Sequence, residues 1–231
     1  DKDAPKDEES SKIWQSLGIP KERITYLPKK DNWWGPAGIT GHCGPDTEMF
    51  YWVSKKPTPK KFNPEDDNWV EIWNDVFMQY NKTPEEKYEP LKQKNVDTGM
   101  GVERTITILS ELEDNYETSL FKPIINQIEK ISNKKYKENK REMRIIADHI
   151  KAATFILGDE RRIEPSNLGQ GYVLRRLIRR AIRYGKQLGI KENFIAEIYL
   201  AVLEVYDEFY SEIENKKDFI LEQFKKEEEK F

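Results

Sequence analysis

The chain changes its periodicity once, at Gly101, and that change limits the fold more than any single motif does. Before it, apolar residues come in short β-like runs, "TEMFYWVS" (47–54) and "WVEIWNDVFMQY" (69–80), separated by stretches dense in Gly, Pro and charge. After it, they recur at helical spacing almost to the last residue. Strands collected in one half and helices in the other make an α+β protein, not an alternating βαβ one. The expectation is an antiparallel sheet region over 1–113 and an all-helical region over 118–231, divided near 114–117.

Within that frame, residues 1–7 read as frayed. "DEESSKIWQSLGIP" reads as a helix, with acids ahead of Ile13, Trp14 and Leu17 and Gly18 and Pro20 after them. "RITYLP" (23–28) has strand composition, and 29–46 is too rich in Gly and Pro for regular structure. The basic, proline-rich 55–68 reads as a mobile loop, 69–80 as a buried strand, 81–94 as a polar loop and 95–99 as a short strand. Helices are expected at 101–113, 118–132, 138–157, 171–188, 192–212 and 214–230.

Bulk properties narrow the function classes. The net charge is only −3, so any nucleic-acid surface must arise from local clustering. A single cysteine, Cys43, excludes an intrachain disulfide and a cysteine-based zinc cage, and is compatible with a cytoplasmic setting. No apolar run reaches the roughly 20 residues of a membrane helix, and no signal-peptide pattern is present. The first residue is Asp rather than Met, which reads as a piece of a longer protein.

Three stretches could carry chemistry. In "NVDTGMGVER" (95–104), glycines between a strand and a helix let a ligand approach the backbone, and a helix start favours anions. Arg104 adds a forked donor and Asp97 an acceptor for an ammonium; the plainer reading is a strand-to-helix turn with an exposed Glu103–Arg104 pair. In "DNWWGPAG", Trp33 and Trp34 either wall a small pocket or anchor the loop. The adjacent His42 and Cys43 do not supply a tetrahedral ligand set, so no metal site is assigned. In "GYVLRRLIRRAIRYG", helical spacing gathers Arg175, Arg176, Arg179, Arg180 and Arg183 into one arc of about 140°. Val173, Leu174, Leu177, Ile178, Ala181 and Ile182 cover the rest, and no acid falls within 171–190. An unmixed arginine face suits a polyanion, unless acids from 192–231 neutralise it. Asn167 and Gln170, just before it, could reach base edges or cap the helix. His149 reads as structural.

The blocks "DNWWGPAGITGHCGPDTEMFYW", "EIWNDVFMQY", "NVDTGMGVER", "RIIADHIKAATFILGD" and "PSNLGQGYVLRRLIRRAIRYG" occur in the order and spacing of one family. Together they resemble the alanyl-tRNA synthetases, class II aminoacyl-tRNA synthetases, over essentially the whole chain. The resemblance implies an internal fragment: the second half of the antiparallel catalytic sheet, then the start of the helical region that grips the tRNA acceptor stem. It implies ATP-dependent activation of alanine and transfer to tRNA-Ala, with ATP and Mg²⁺ as cofactors.

By that resemblance "GMGVER" is motif 3. Gly99, Gly101, Glu103 and Arg104 then belong to the ATP site, with Arg104 on the phosphates. Trp34, Asn74, Val76 and Asp97 belong to the alanine site, Asp97 holding the ammonium. Asn167 matches the asparagine that reads the acceptor-stem G·U pair, and the five arginines line the tRNA.

The family loop is close to "FWxMGxxGPCGPC"; here a proline is His42 and the second cysteine is Asp46. Motifs 1 and 2, the motif 2 arginine, and the zinc-dependent editing domain have no counterpart among these residues, so the isolated chain is expected to be inactive. A non-catalytic RNA-binding module on the same fold is the alternative, and a helical DNA-binding domain with an unrelated sheet a weaker one.

Overall fold

The structure, a computed structural model, describes residues 4–191 and 193–231. Residues 1–3 of the expected frayed start and residue 192 of the expected helix at 192–212 lie outside the described residues. The chain forms two compact units, Asp1–Glu111 and Leu112–Phe231.

The first unit opens with α1 (Glu8–Ser16). The Asp7 carboxylate caps it, accepting from the backbone N–H of Ser10 at 2.9 Å, with Glu8 and Glu9 in the first turn. An antiparallel sheet follows in the order β1 (Trp33–Trp34), β2 (Gly41–Trp52), β3 (Trp69–Lys82) and β4 (Tyr88–Met100), and α2 (Val102–Leu109) leaves its last strand.

Several sequence expectations need correction here. Residues 24–28 are extended but join no ladder; Leu27 N–H donates to the Asn32 side chain at 2.9 Å instead. Strand β2 starts six residues earlier than its apolar run, because its Gly- and Pro-rich start pairs with β3, Gly41 opposite Lys82. Segment 81–94 is not a loop. A tight turn, closed by Thr83 N–H to Lys87 O at 2.9 Å with Glu86 at φ 61°, joins β3 to a polar strand that one-sided burial leaves without an apolar signal. Strand β3 is half-buried, with only Val76 and Met78 fully covered. The basic loop is anchored, since the Phe62 ring lies 4.9 Å from Phe50 and 5.4 Å from Trp69.

In its pairing with β2, strand β3 also carries two irregularities. Met49 pairs with Trp73 but Phe50 pairs with Glu71, so Ile72 is an extra residue. A second one falls between Cys43 and Asp46, where Gly44 meets β3 so closely that a Cβ on it would lie 1.8 Å from the Phe77 carbonyl oxygen.

The second unit is built on α3 (Lys122–Ser132), α4 (Lys140–Gly158), α5 (Gly169–Gln187), α6 (Ile195–Tyr206), α7 (Ser211–Asn215) and α8 (Lys217–Lys230). Ile128, Met143, Ile146, Ile150, Ile178, Ile198 and Phe224 form part of one continuous core. The expected helix at 192–212 is two elements, since α6 stops at Tyr206, and the tail helix starts at Lys217 rather than 214. Polar groups secure the ends. Lys216 Nζ donates to the Gly158 and Asp159 carbonyls at 2.9 and 2.7 Å, a cation at the C-terminus of α4. Glu228 accepts from the N–H groups of Phe194 and Ile195 at the start of α6. Ahead of α3, the buried Asp114 carboxylate accepts from Tyr136 Oη at 2.6 Å and Arg144 Nη2 at 2.5 Å.

Candidate functional site

In the first unit, pairing across the ladders sets two rows of side chains on one face. Asp46, Val76 and Asp97 form one, and Glu48, Asn74 and Gly99 the next. The extra residue Ile72 turns Glu71 onto the same face, although simple alternation from Asn74 would point it away. The same bulge holds the glycine turn, because Gly101 N–H donates to the Ile72 carbonyl at 3.0 Å. Within the first turn of α2, Arg104 Nη1 donates to Glu71 O at 3.1 Å and to Glu71 Oε2 at 3.3 Å, both side chains partly exposed. Glu103 is half-buried at the N-terminus of α2.

So Asp97, Val76, Asn74, Gly99, Gly101 and Arg104 converge on one stretch of sheet, with the carboxylate at one end and the guanidinium at the other. A Cβ on Gly99 would meet nothing within 4 Å, which leaves that part of the floor open to a ligand. Asn74 Oδ1 is buried and lacks a partner, an acceptor in want of a donor one residue pair from Asp97.

The tryptophans part company. Trp33 is an anchor: it stacks on Tyr80 at 5.7 Å, meets Tyr88 edge-on at 5.2 Å, and carries Lys29 Nζ 4.1 Å over its ring. Trp34 pairs with Gly44 on the outer strand and lines an open hollow of about 440 Å³ with His42 and Met78. His42 and Cys43 are successive strand residues, hence on opposite faces; Cys43 is fully buried and His42 exposed.

Sequence reasoning passed over the acids of this face. Asp46 and Glu48 alternate with period two in "PDTE", the one signal that could have found them. Burial, then the charges of Glu71, Asp46 and Asp31, push Glu48 up to about 7. Burial likewise raises Asp46, against hydrogen bonds from Asn32 and Asn74. Both line a cavity of about 560 Å³ walled also by Trp14, Tyr26 and Met49. Among the described residues, no group of three or more His, Cys, Asp or Glu is arranged to hold a metal ion.

The second unit presents the arginine helix. Leu174, Ile178, Ala181 and Ile182 are buried as the spacing requires, but Val173 is 54% exposed. The five arginines divide. Arg175 and Arg179 direct Nε to the buried Glu227 Oε2 at 3.3 and 3.1 Å, so acids from the C-terminal segment do neutralise part of the face. Arg176, Arg180 and Arg183 are exposed, the first two lying over Tyr172 and Tyr184 at 5.7 and 5.9 Å. Arg175 Nη1 also donates to Asn167 Oδ1, which joins the loop before α5 to the helix. His149 bonds to Asp148 at 2.9 Å.

A model of the family described as tRNA synthetases class II (A) matches residues 2–231. An alanine–tRNA ligase of Borrelia hermsii is 52% identical over 236 residues, covering 100% of this chain and 40% of that protein. One from Treponema denticola is 53% identical over 224 residues, 95% of this chain and 37% of the relative. One from Bacillus cytotoxicus is 43% identical over 238 residues, 98% and 26%. The chain thus spans 40% or less of the length of these relatives. Among the described residues no helix is long and apolar enough to cross a membrane.

Proposed function

We infer, from the premise that this chain belongs to the class II (A) tRNA synthetases, that it is the motif 3 and acceptor-stem portion of a cytoplasmic alanine–tRNA ligase. The observation that carries the reading is the single sheet face bearing Asp97, the unpartnered Asn74 Oδ1 and, at the far end, Arg104.

On that reading Asp97 and Asn74 Oδ1 receive the alanine ammonium, and Val76 packs on its methyl group. The amino-acid carboxylate attacks the α-phosphorus of ATP, pyrophosphate leaves, and the alanyl group then passes to the terminal ribose of tRNA-Ala. Asp97 binds and does not act as a base. Gly99 leaves room for the adenine, Gly101 lets the Arg104 side chain lie against the turn, Glu103 lies at the edge of that floor, and Arg104 exchanges Glu71 for phosphate. Charge moves on phosphates throughout, so positioning and electrostatic stabilisation supply the catalysis. Mg²⁺, when bound with ATP, would supply charge neutralisation on the phosphates, and Glu48 and Glu71 are the carboxylates of this face that would help hold it. Trp34, which matches the family's pocket-closing tryptophan, would close the alanine pocket. A methyl-sized pocket excludes one extra methylene by only roughly 1–3 kcal/mol, which fits a family with separate editing. The acceptor stem lies along Arg176, Arg180 and Arg183, with Arg175, Arg179 and Asn167 beside them.

The test is alanine-dependent ATP–pyrophosphate exchange by the ligase containing these residues. Asp97→Asn should lower exchange by about 100-fold or more, mostly through alanine KM, and Arg104→Gln mostly through ATP. Exchange by Asp97→Asn within twofold of the unaltered enzyme overturns the assignment.

A further inference from the structure

Glu227 is 2% exposed, yet it is not spent on the apolar core around it. Its Oε2 takes the Nε of Arg175 and of Arg179, one turn apart on α5. Without a carboxylate between them, two guanidiniums at this spacing would repel and swing to separate rotamers. Arg175 uses the other branch of its fork on Asn167 Oδ1. A guanidinium only donates, so the Asn167 atom facing it must be the oxygen, and the amide NH2 is left pointing away.

The Asn167 backbone is fixed independently. Ser166 N–H donates to the Gly171 carbonyl at 3.0 Å, Ser166 Oγ donates to the Leu168 carbonyl at 2.9 Å, and a Cβ on Gly171 would come within 2.4 Å of the Glu164 carbonyl. The loop holds the main chain and Arg175 holds the side chain. The only buried charge in the arrangement is that of Glu227.

We propose that Glu227 is a positioning residue for RNA recognition, locking Arg175 and, through it, presenting the Asn167 amide as an outward donor. The inference rests on the acceptor-stem reading above. Arg175 and Arg179 then serve as framework as much as phosphate contacts, and Arg176, Arg180 and Arg183 carry the salt-dependent affinity.

The test uses this chain and two acceptor-stem RNA hairpins, one with the G·U pair and one with G·C in its place. Glu227→Gln keeps the size but removes a negative charge. Its affinity for the G·C hairpin should hold or rise severalfold while that for the G·U hairpin falls, so that the preference for G·U drops about tenfold. Asn167→Ala should lose the same preference, and the double variant should lose no more than either alone. Arg175→Lys keeps the charge but not the fork; it gives the same loss, and it carries the test if Glu227→Gln does not fold by circular dichroism. Equal weakening toward both hairpins, an unchanged preference, or additive losses in the double variant overturn the role of Glu227. An unaltered chain that binds neither hairpin, or shows no preference, overturns the acceptor-stem reading itself and the inference with it.

Discussion

The two units hold their functional charges by opposite means. In the sheet unit the candidate ligand-binding groups sit on half-exposed strands: Asp97, Gly99 and all of β4 from Lys92 onward are exposed, and among the described residues only Cys43, Val76 and Met78 are buried apolar residues. In the helical unit the arginine face is backed by a continuous core, and a buried carboxylate reaches out of it to hold two of the arginines. The first arrangement leaves groups short of partners, Asn74 Oδ1 and the crowded acids among them. The second pairs Arg175 and Arg179 internally and leaves Arg176, Arg180 and Arg183 exposed. On the proposed function, a surface that changes its contacts when small ligands arrive can be under-satisfied, whereas one that reads a preformed helix gains from rigidity.

The sharpest way to break this contrast is to remove packing from each unit. Ile146→Ala should destabilise the helical unit by about 4 kcal/mol in urea unfolding followed by circular dichroism, as a buried β-branched side chain lost from a dense core. Val96→Ala, at a residue 60% exposed on β4, should cost under about 0.5 kcal/mol. Comparable costs would mean that the sheet unit is packed as tightly as the helical one.

Next in size is the Asp114 knot. Asp114→Ala strands Tyr136 and Arg144 and should cost about 3 kcal/mol. Burial acts to raise this carboxyl, but hydrogen bonds from Tyr136, Arg144 and the Tyr116 N–H outweigh it, and the net shift is downward. A depressed carboxyl stabilises above its unfolded pKa, and the contribution fades as pH falls through the folded value. The helical unit should therefore lose stability below about pH 4, and Asp114→Ala should flatten that loss.

The smallest effect has the reverse sign. Glu48 is raised to about 7, so its protonated form suits the fold. Its contribution is complete below the unfolded value and is lost as pH rises toward 7. Glu48→Gln should stabilise the sheet unit at pH 8 by about 1 kcal/mol, limited by partial solvent screening, and by nothing at pH 4. A melting temperature difference that is the same at both pH values would sink the account of the acidic face.

How much was legible follows from which signal each element carries. Helix α5 was readable because a single period sorts its arginines from Leu174, Ile178, Ala181 and Ile182. Strand β4 was not, since "YEPLKQK" has no buried face to impose alternation. The glycine turn was found, but the carbonyl that receives Gly101 N–H was not, because it depends on an insertion in a strand read as regular. Gly44 gave no sign of being the glycine most tightly enclosed by sheet backbone. Glu227 was one acid among several in "KKEEEK".

What the residues determined alone was the order of strands then helices, the helical faces and, by resemblance, the family and the positions that match its motifs. Those are properties of near neighbours along the chain, where period and residue type are sufficient. What only the tertiary structure decided was which charges meet: Glu71 with Arg104 across a bulge, Glu227 with two arginines from another helix, Asn74 Oδ1 with nothing. Pairing of that kind depends on register, and a one-residue shift in register reverses the face on which a side chain stands.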